Sequence, residues 1–153
     1  ETVIGHWPAM VNAFRDVSGR VCAFHRTYLS EDGHKAPVSM PKKFLGAAKD
    51  GSAIRLSKIH PAMGIAEGIE TALAIMTYDE VPCWASGSAT QLVKFEPPPE
   101  IKQLTIYADR DQSFTGQSAA YALAKRLSLK GLTVDVAVPP VVGDWLDYRR
   151  QQI

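Results

Sequence analysis

The chain has 153 residues, 46% of them apolar and 22% charged, which is the make-up of one globular domain or one domain with a small appendage. No apolar run approaches the roughly 20 residues that span a bilayer, so a membrane role is not expected. The opening Glu1-Thr2-Val3 carries neither the basic nor the apolar segment of a leader and reads as the interior of a longer chain. Net charge is +1, but it is uneven. Residues 1–60 hold nine Lys/Arg against five Asp/Glu, and residues 61–153 hold eight against eleven. All four His lie in the first part. The first part is suited to an anion, the second to cations. Cys22 and Cys83 lack metal-site spacing and read as buried thiols in a reducing cytoplasm.

In chain order, Val11–Phe14 and Val21–Phe24 predict two strands of a hairpin, with Asp16-Val17-Ser18-Gly19 as the turn. A polar loop follows, with a turn at Asp32-Gly33 and breakers at Pro37 and Pro41. Ala53–Ile59 predicts one more strand. From Met63 the pattern changes to alternating β and α. Met63–Ala66, Val81–Ala85, Leu104–Ala108 and Thr133–Val138 predict strands. Between and after them, helices are predicted from Ile69, over Thr90–Phe95, over Gly116–Lys130 and over Trp145–Gln152. Ile69, Ala72, Leu73 and Met76 fall on one face of the first. Gly131 follows the longest helix where a left-handed cap belongs. This alternation implies right-handed crossovers and an α/β fold: a mostly parallel four-stranded sheet with helices on both faces. A small β-rich segment precedes it. The expected division is residues 1–60 and 61–153.

Open parallel sheets bind ligands at the carboxyl ends of their strands. Those ends carry Glu67, then Asp109 and Asp111, then Asp144 and Asp147. Carboxylates gathered on one edge resist joint ionisation, and a divalent cation is the usual compensation. Taken singly, each has a plainer reading: Asp111 as a helix cap, and Glu67 and Glu70 as acids favoured in a first helical turn. Glu70 is read as a surface acid of that kind. The first βα turn has no glycine-rich dinucleotide fingerprint and there is no Walker-type phosphate loop. No His stands beside Ser88 or Cys83 in sequence as a nucleophile pair would suggest.

These residues resemble a known family. Ala66-Glu67-Gly68-Ile69-Glu70-Thr71-Ala72 resembles the segment that opens Toprim domains, and Ala108-Asp109-Arg110-Asp111 resembles their paired-aspartate motif. Gly143-Asp144-Trp145-Leu146-Asp147 resembles the acidic segment after the last strand of bacterial primases. The Toprim likeness covers about residues 62–148. His25–Leu29, Lys35-Ala36-Pro37 and Gly64–Leu73 extend it back to about residue 10, in the manner of plasmid and phage Toprim primases. One departure stands out. Many Toprim proteins place a Gly three residues after the second Asp, whereas Gly116 follows Asp111 by five.

The resemblance implies metal-dependent nucleotidyl transfer on nucleic acid. Glu67 would act as general acid/base and also as a metal ligand. Asp109 and Asp111 would bind Mg²⁺ or Mn²⁺, with Asp144 and Asp147 as outer ligands. Arg110 would touch a nucleotide phosphate or balance the acids. Arg26, Lys35, Lys42, Lys43, Arg55 and Lys58 would form a track for a nucleic-acid strand. Phe44 and Tyr28 read either as base-stacking rings or as buried aromatics. The expected activity is RNA primer synthesis on a single-stranded DNA template from ribonucleotides. In the parent chain, zinc-binding and helicase domains would flank this one. A Toprim nuclease and a non-catalytic binding module are the competing readings.

Overall fold

The computed structural model describes residues 5–152, so the Glu1-Thr2-Val3 start lies outside the described residues. One eight-stranded sheet runs through the molecule. Its amino-terminal half is antiparallel: β1 (Ala9–Arg15), β2 (Val21–Tyr28), β3 (Lys42–Gly46) and the short β4 (Ala53–Ile54). Its other half is parallel: β5 (Ala62–Ala66), β6 (Cys83–Ala85), β7 (Gln103–Tyr107) and β8 (Thr133–Ala137). The order is β3-β2-β1-β4-β6-β5-β7-β8. The expected hairpin forms because Asp16 closes its turn. Its carboxylate accepts from the backbone N–H of Ser18 and Arg20, and Gly19 takes a positive φ of 85°.

Two expectations on the antiparallel half need correction. The strand over Ala53–Ile59 stops at Ile54. Arg55 leaves the ladder, lays its guanidinium 4.7 Å from the Trp84 ring centre and donates to the Asp16 carbonyl at 2.8 Å. The loop after Pro41 is partly a strand, β3, paired to β2. All five of its residues are exposed, so no buried alternation marks it in the sequence.

Four helices cross the parallel half: α1 (Ile69–Tyr78), α2 (Ala89–Lys94), α3 (Thr115–Leu129) and α4 (Trp145–Arg150). Two buried apolar clusters lie on the sheet's two faces. One joins Ile65, Leu104 and Ile106 to Leu92 of α2 and Ala120, Leu123 and Leu127 of α3. The other joins Ala66, Cys83, Ala85 and Tyr107 to Ile69, Ala72 and Ile75 of α1 and Trp145 of α4. In α1 the buried arc is rotated from the expected one. Thr71 and Ala74 are buried and Leu73 is exposed, because α1 packs against α4 as well as the sheet. α3 ends as Gly131 predicts: at φ 87° its N–H meets the Ser128 carbonyl, and Leu132 N–H meets that of Leu127.

Candidate metal cleft

β5 and β7 are neighbours in parallel register, with Ala66 opposite Tyr107. The residues just past their carboxyl ends, Glu67 and Asp109, therefore open on one cleft. Its volume is about 200 Å³, and Gly68, Thr71, Gly87 and Asp144 also line it, with Lys35, Lys42 and Glu70. Asp144 comes from the far side of β8 because two loops are zipped together. Arg110 and Gly143 exchange backbone hydrogen bonds of 2.9 Å each way. Trp145 adds a clamp, its indole N–H donating to the Ala108 carbonyl at 3.1 Å.

The electrostatics of the cleft are those of crowded acids. Burial pushes the Asp109 carboxyl up to about 6, and the charges of Asp144, Glu67 and Asp111 push the same way. The hydroxyl of Thr71, donating at 3.1 Å, opposes them. Burial also raises Glu67, against the pull of the Ala89 amide at the start of α2, and Asp111 raises it further. Opposite these acids, Lys42 and Lys35 stand 3.4 and 3.9 Å from one Glu70 carboxylate oxygen. Glu70 stands in the first turn of α1 as expected, and it is also an ion-paired wall of the cleft. Its partners come from elsewhere in the chain, so first-turn position alone could not reveal this.

The remaining residues divide. The Asp111 carboxylate is turned onto the start of α3, accepting from Thr115 N–H at 3.3 Å, from Gly116 N–H at 3.1 Å and from the Ser113 hydroxyl. These bonds hold its pKa below the ordinary carboxylate range, with Ser113 the largest contribution. Gly116 permits the fit, since a Cβ there would sit 3.3 Å from both the Asp109 carbonyl and the Asp111 carboxylate. Asp144 caps α4 by accepting from Asp147 N–H at 2.8 Å, while Asp147 itself is exposed and does not line the cleft. Arg110 is exposed and donates to the Pro140 carbonyl, away from the acids it separates in sequence. Of the basic residues, only Lys35 and Lys42 line the cleft. Arg26 and Lys43 sit side by side on adjacent strands, on the opposite face from His25. Arg55 is taken by Trp84 and the hairpin turn, and Lys58 is exposed beyond it. The six do not form one continuous track. Phe44 stacks edge-on to His25 at 5.0 Å, and Tyr28 underlies Arg26 at 5.9 Å.

Among the described residues, no three His, Cys, Asp or Glu side chains stand close enough to cage a metal alone. Mg²⁺ and Mn²⁺ do not require such a cage, because one or two carboxylates with retained waters and substrate phosphates suffice. Asp109, raised by burial and then by its acidic neighbours, is the donor on which a dication would act most directly.

The fold and the cleft together define a Toprim domain. The Toprim domain family model matches residues 62–152, more than half of the chain, and the chain belongs to that family. A second family, a domain of unknown function (DUF7146), matches residues 1–56. No curated protein matches. Among solved structures, the primase fragment of the bacteriophage T7 primase-helicase superposes with a TM-score of 0.68 at 19% identity, over 94% of this chain and 58% of that one. A DNA primase domain from Pseudomonas aeruginosa gives 0.59 at 15% identity, over 94% and 47%. The RNA polymerase domain of Mycobacterium tuberculosis primase DnaG gives 0.57 at 19%, over 94% and 51%. At such identities the likeness is one of fold, and this chain spans about half the length of these chains. No helix among the described residues is long and apolar enough to cross a membrane.

Proposed function

We propose that this chain is the catalytic domain of a primase, joining ribonucleotides on a single-stranded DNA template with Mg²⁺ or Mn²⁺. The observation that carries the reading is the convergence of Glu67 and Asp109, from adjacent parallel strands, on a cleft whose other wall holds Lys42 and Lys35. Asp109 would hold the cation, with Asp144 in reach through water and Asp111 as a distal ligand after turning from its helix cap. Asp147 lies outermost. A bound cation supplies charge neutralisation at the attacking and leaving oxygens. Glu67, its proton affinity raised by burial, accepts the proton of the attacking hydroxyl. Lys42 and Lys35 exchange Glu70 for the phosphates of the incoming nucleotide. Base and sugar would occupy the adjoining cavity of about 620 Å³, which shares Lys35, Glu70 and Asp144 and adds Met10, Leu29 and Arg150.

Residues 1–60 act in this reading as the template-handling segment and residues 61–153 as the chemical one, although one sheet joins them. Zinc-binding and helicase domains would flank them in the parent chain. Priming would take place in the cytoplasm, where Cys22 and Cys83 stay reduced. The test is incubation of the longest natural form of the chain with ribonucleotides, single-stranded DNA and Mg²⁺. New short oligonucleotides are expected. A shortened template with no new product would instead identify a nuclease, and no change in either strand a binding module.

A further inference from the structure

β3 is the last strand of the sheet on its antiparallel side, and among the described residues nothing pairs with its outer edge. Its ladder to β2 decides which backbone groups are already used. Tyr28 donates its N–H to the Pro41 carbonyl at 2.8 Å, so the hydrogen-bonded pairs continue at Arg26↔Lys43 and Phe24↔Leu45. The N–H and C=O groups of Lys42 and Phe44 therefore point away from the sheet. Such an edge is a template for one more strand.

The side chains beside that edge have their own pattern. Alternation puts Lys43 and Leu45 on the outer face, next to Arg26 and Phe24 of β2. Past Lys43, the residues Trp7, Tyr28 and Met40 join it in lining a cavity of about 150 Å³, a size that holds one benzene ring. Neither Arg26 nor Lys43 forms an ion pair among the described residues, in contrast to Lys35 and Lys42. The Arg26 Nε is buried without a hydrogen-bond partner. From Leu45 to the cavity, the face thus runs apolar, cationic, apolar.

An occupant must supply backbone donors and acceptors in alternation, and a carboxylate with them. Nucleic acid supplies the charge without the ladder. A second copy of β3 supplies the ladder without the charge. β1, β2 and β3 contain no Asp or Glu, so self-pairing would gather Arg26 and Lys43 of both copies with no anion between them.

We propose that the free edge of β3 accepts an extended acidic segment of a partner protein as an added antiparallel strand. At every second position that segment would set an apolar residue against Leu45, a carboxylate at Lys43 and Arg26, and an aromatic ring in the cavity. The site requires no metal and none of the acids of the cleft.

The probe is the fluorescein-labelled peptide Glu-Leu-Thr-Glu-Thr-Phe-Glu. It is titrated into the intact chain in EDTA and followed by anisotropy and by amide hydrogen exchange. Saturable binding is expected, with exchange of the Phe44 amide slowed by at least about tenfold. N-methylation of both peptide threonines, which would face Phe44 and Lys42, should weaken binding by at least about tenfold. N-methylation of the Leu and the central Glu, which would face solvent, should not. Lys43→Glu should weaken binding by at least about fivefold, and changing the central Glu of the peptide to Lys should restore it. The exchange measurement and the methylated peptides use the unaltered chain, so no variant has to fold. No binding, or equal effects of the two methylation patterns, would overturn the proposal. A Phe44 amide already protected in the free chain would overturn it too. So would a dimer in sedimentation that protects this amide, or displacement of the peptide by equimolar oligo-dT.

Discussion

The Thr71 hydroxyl donates to the Asp109 carboxylate at 3.1 Å, tying the first turn of α1 to the end of β7. Thr71 is 1% exposed, so water cannot readily replace this bond. The contact holds the carboxylate that burial, and then crowded acids, push toward protonation, and it fixes the side chain's aim.

Thr71→Val keeps the shape of the side chain and removes the donor. It is expected to weaken Mn²⁺ binding by about tenfold, the scale of lost outer-sphere support. Calorimetric titration measures this directly. Affinity equal to that of the unaltered chain would mean that Asp109 is not a ligand or that its aim is set elsewhere.

Glu67→Gln and Asp109→Asn should separate chemistry from binding. Glu67→Gln is expected to lower nucleotidyl transfer by roughly 10²–10⁴ while leaving Mn²⁺ affinity nearly unchanged. Asp109→Asn should weaken the affinity itself by at least about tenfold. The metal-free protein gives an opposite sign. The Asp109 carboxyl lies at about 6 in the fold against 3.8 normally, so the fold takes up protons relative to the unfolded chain. Its contribution to stability is present below the unfolded value and is lost as pH rises from about 4 to about 6. At neutral pH the ionised carboxylate is therefore a burden, and Asp109→Asn should raise the metal-free melting temperature by about 2–4 °C. Thermal melts in EDTA check it.

Lys42 and Lys43 are neighbours in sequence and point to opposite faces of β3. Lys42→Ala should weaken binding of a ribonucleoside triphosphate with Mn²⁺ by about tenfold, whereas Lys43→Ala should leave it unchanged. Equilibrium dialysis of each single variant decides the matter. Equal losses in both would place the two side chains in one electrostatic field rather than on two surfaces.

His25 supplies a pH dependence of its own. It is 4% exposed, its Nδ1 has no hydrogen-bond partner, and burial, then Lys42, lower its pKa against the weaker pull of Glu70. The fold thus keeps the ring neutral where the unfolded chain would protonate it. Stability from this group is present above the unfolded pKa of about 6.5 and is lost as pH falls below it. Comparing melts of the unaltered chain and His25→Phe between about pH 5 and 7 isolates the group. The unaltered chain should lose more stability toward acid, and parallel curves would show that His25 does not titrate there.

The parallel half was legible from sequence because its signals are local. Apolar runs bounded by helical periodicity mark β5, β7 and β8, and Gly131 marks the end of α3 before any contact is known. The carboxylates past each strand follow from the same reading, since a parallel sheet collects its strand ends on one edge. What pairing and packing decide was not legible. β3 exists because β2 offers it a ladder, and β4 ends where Arg55 finds Trp84. Leu73 lost its place in the core to Thr71 because α4 rotates the buried arc of α1. Above all, the tertiary structure separated residues that composition lumps together. Lys35 and Lys42 face Glu70 in the cleft, while Arg26 and Lys43 face outward. Charge in a sequence is only a sum, whereas strand alternation and long-range pairing assign each charge a face and a partner.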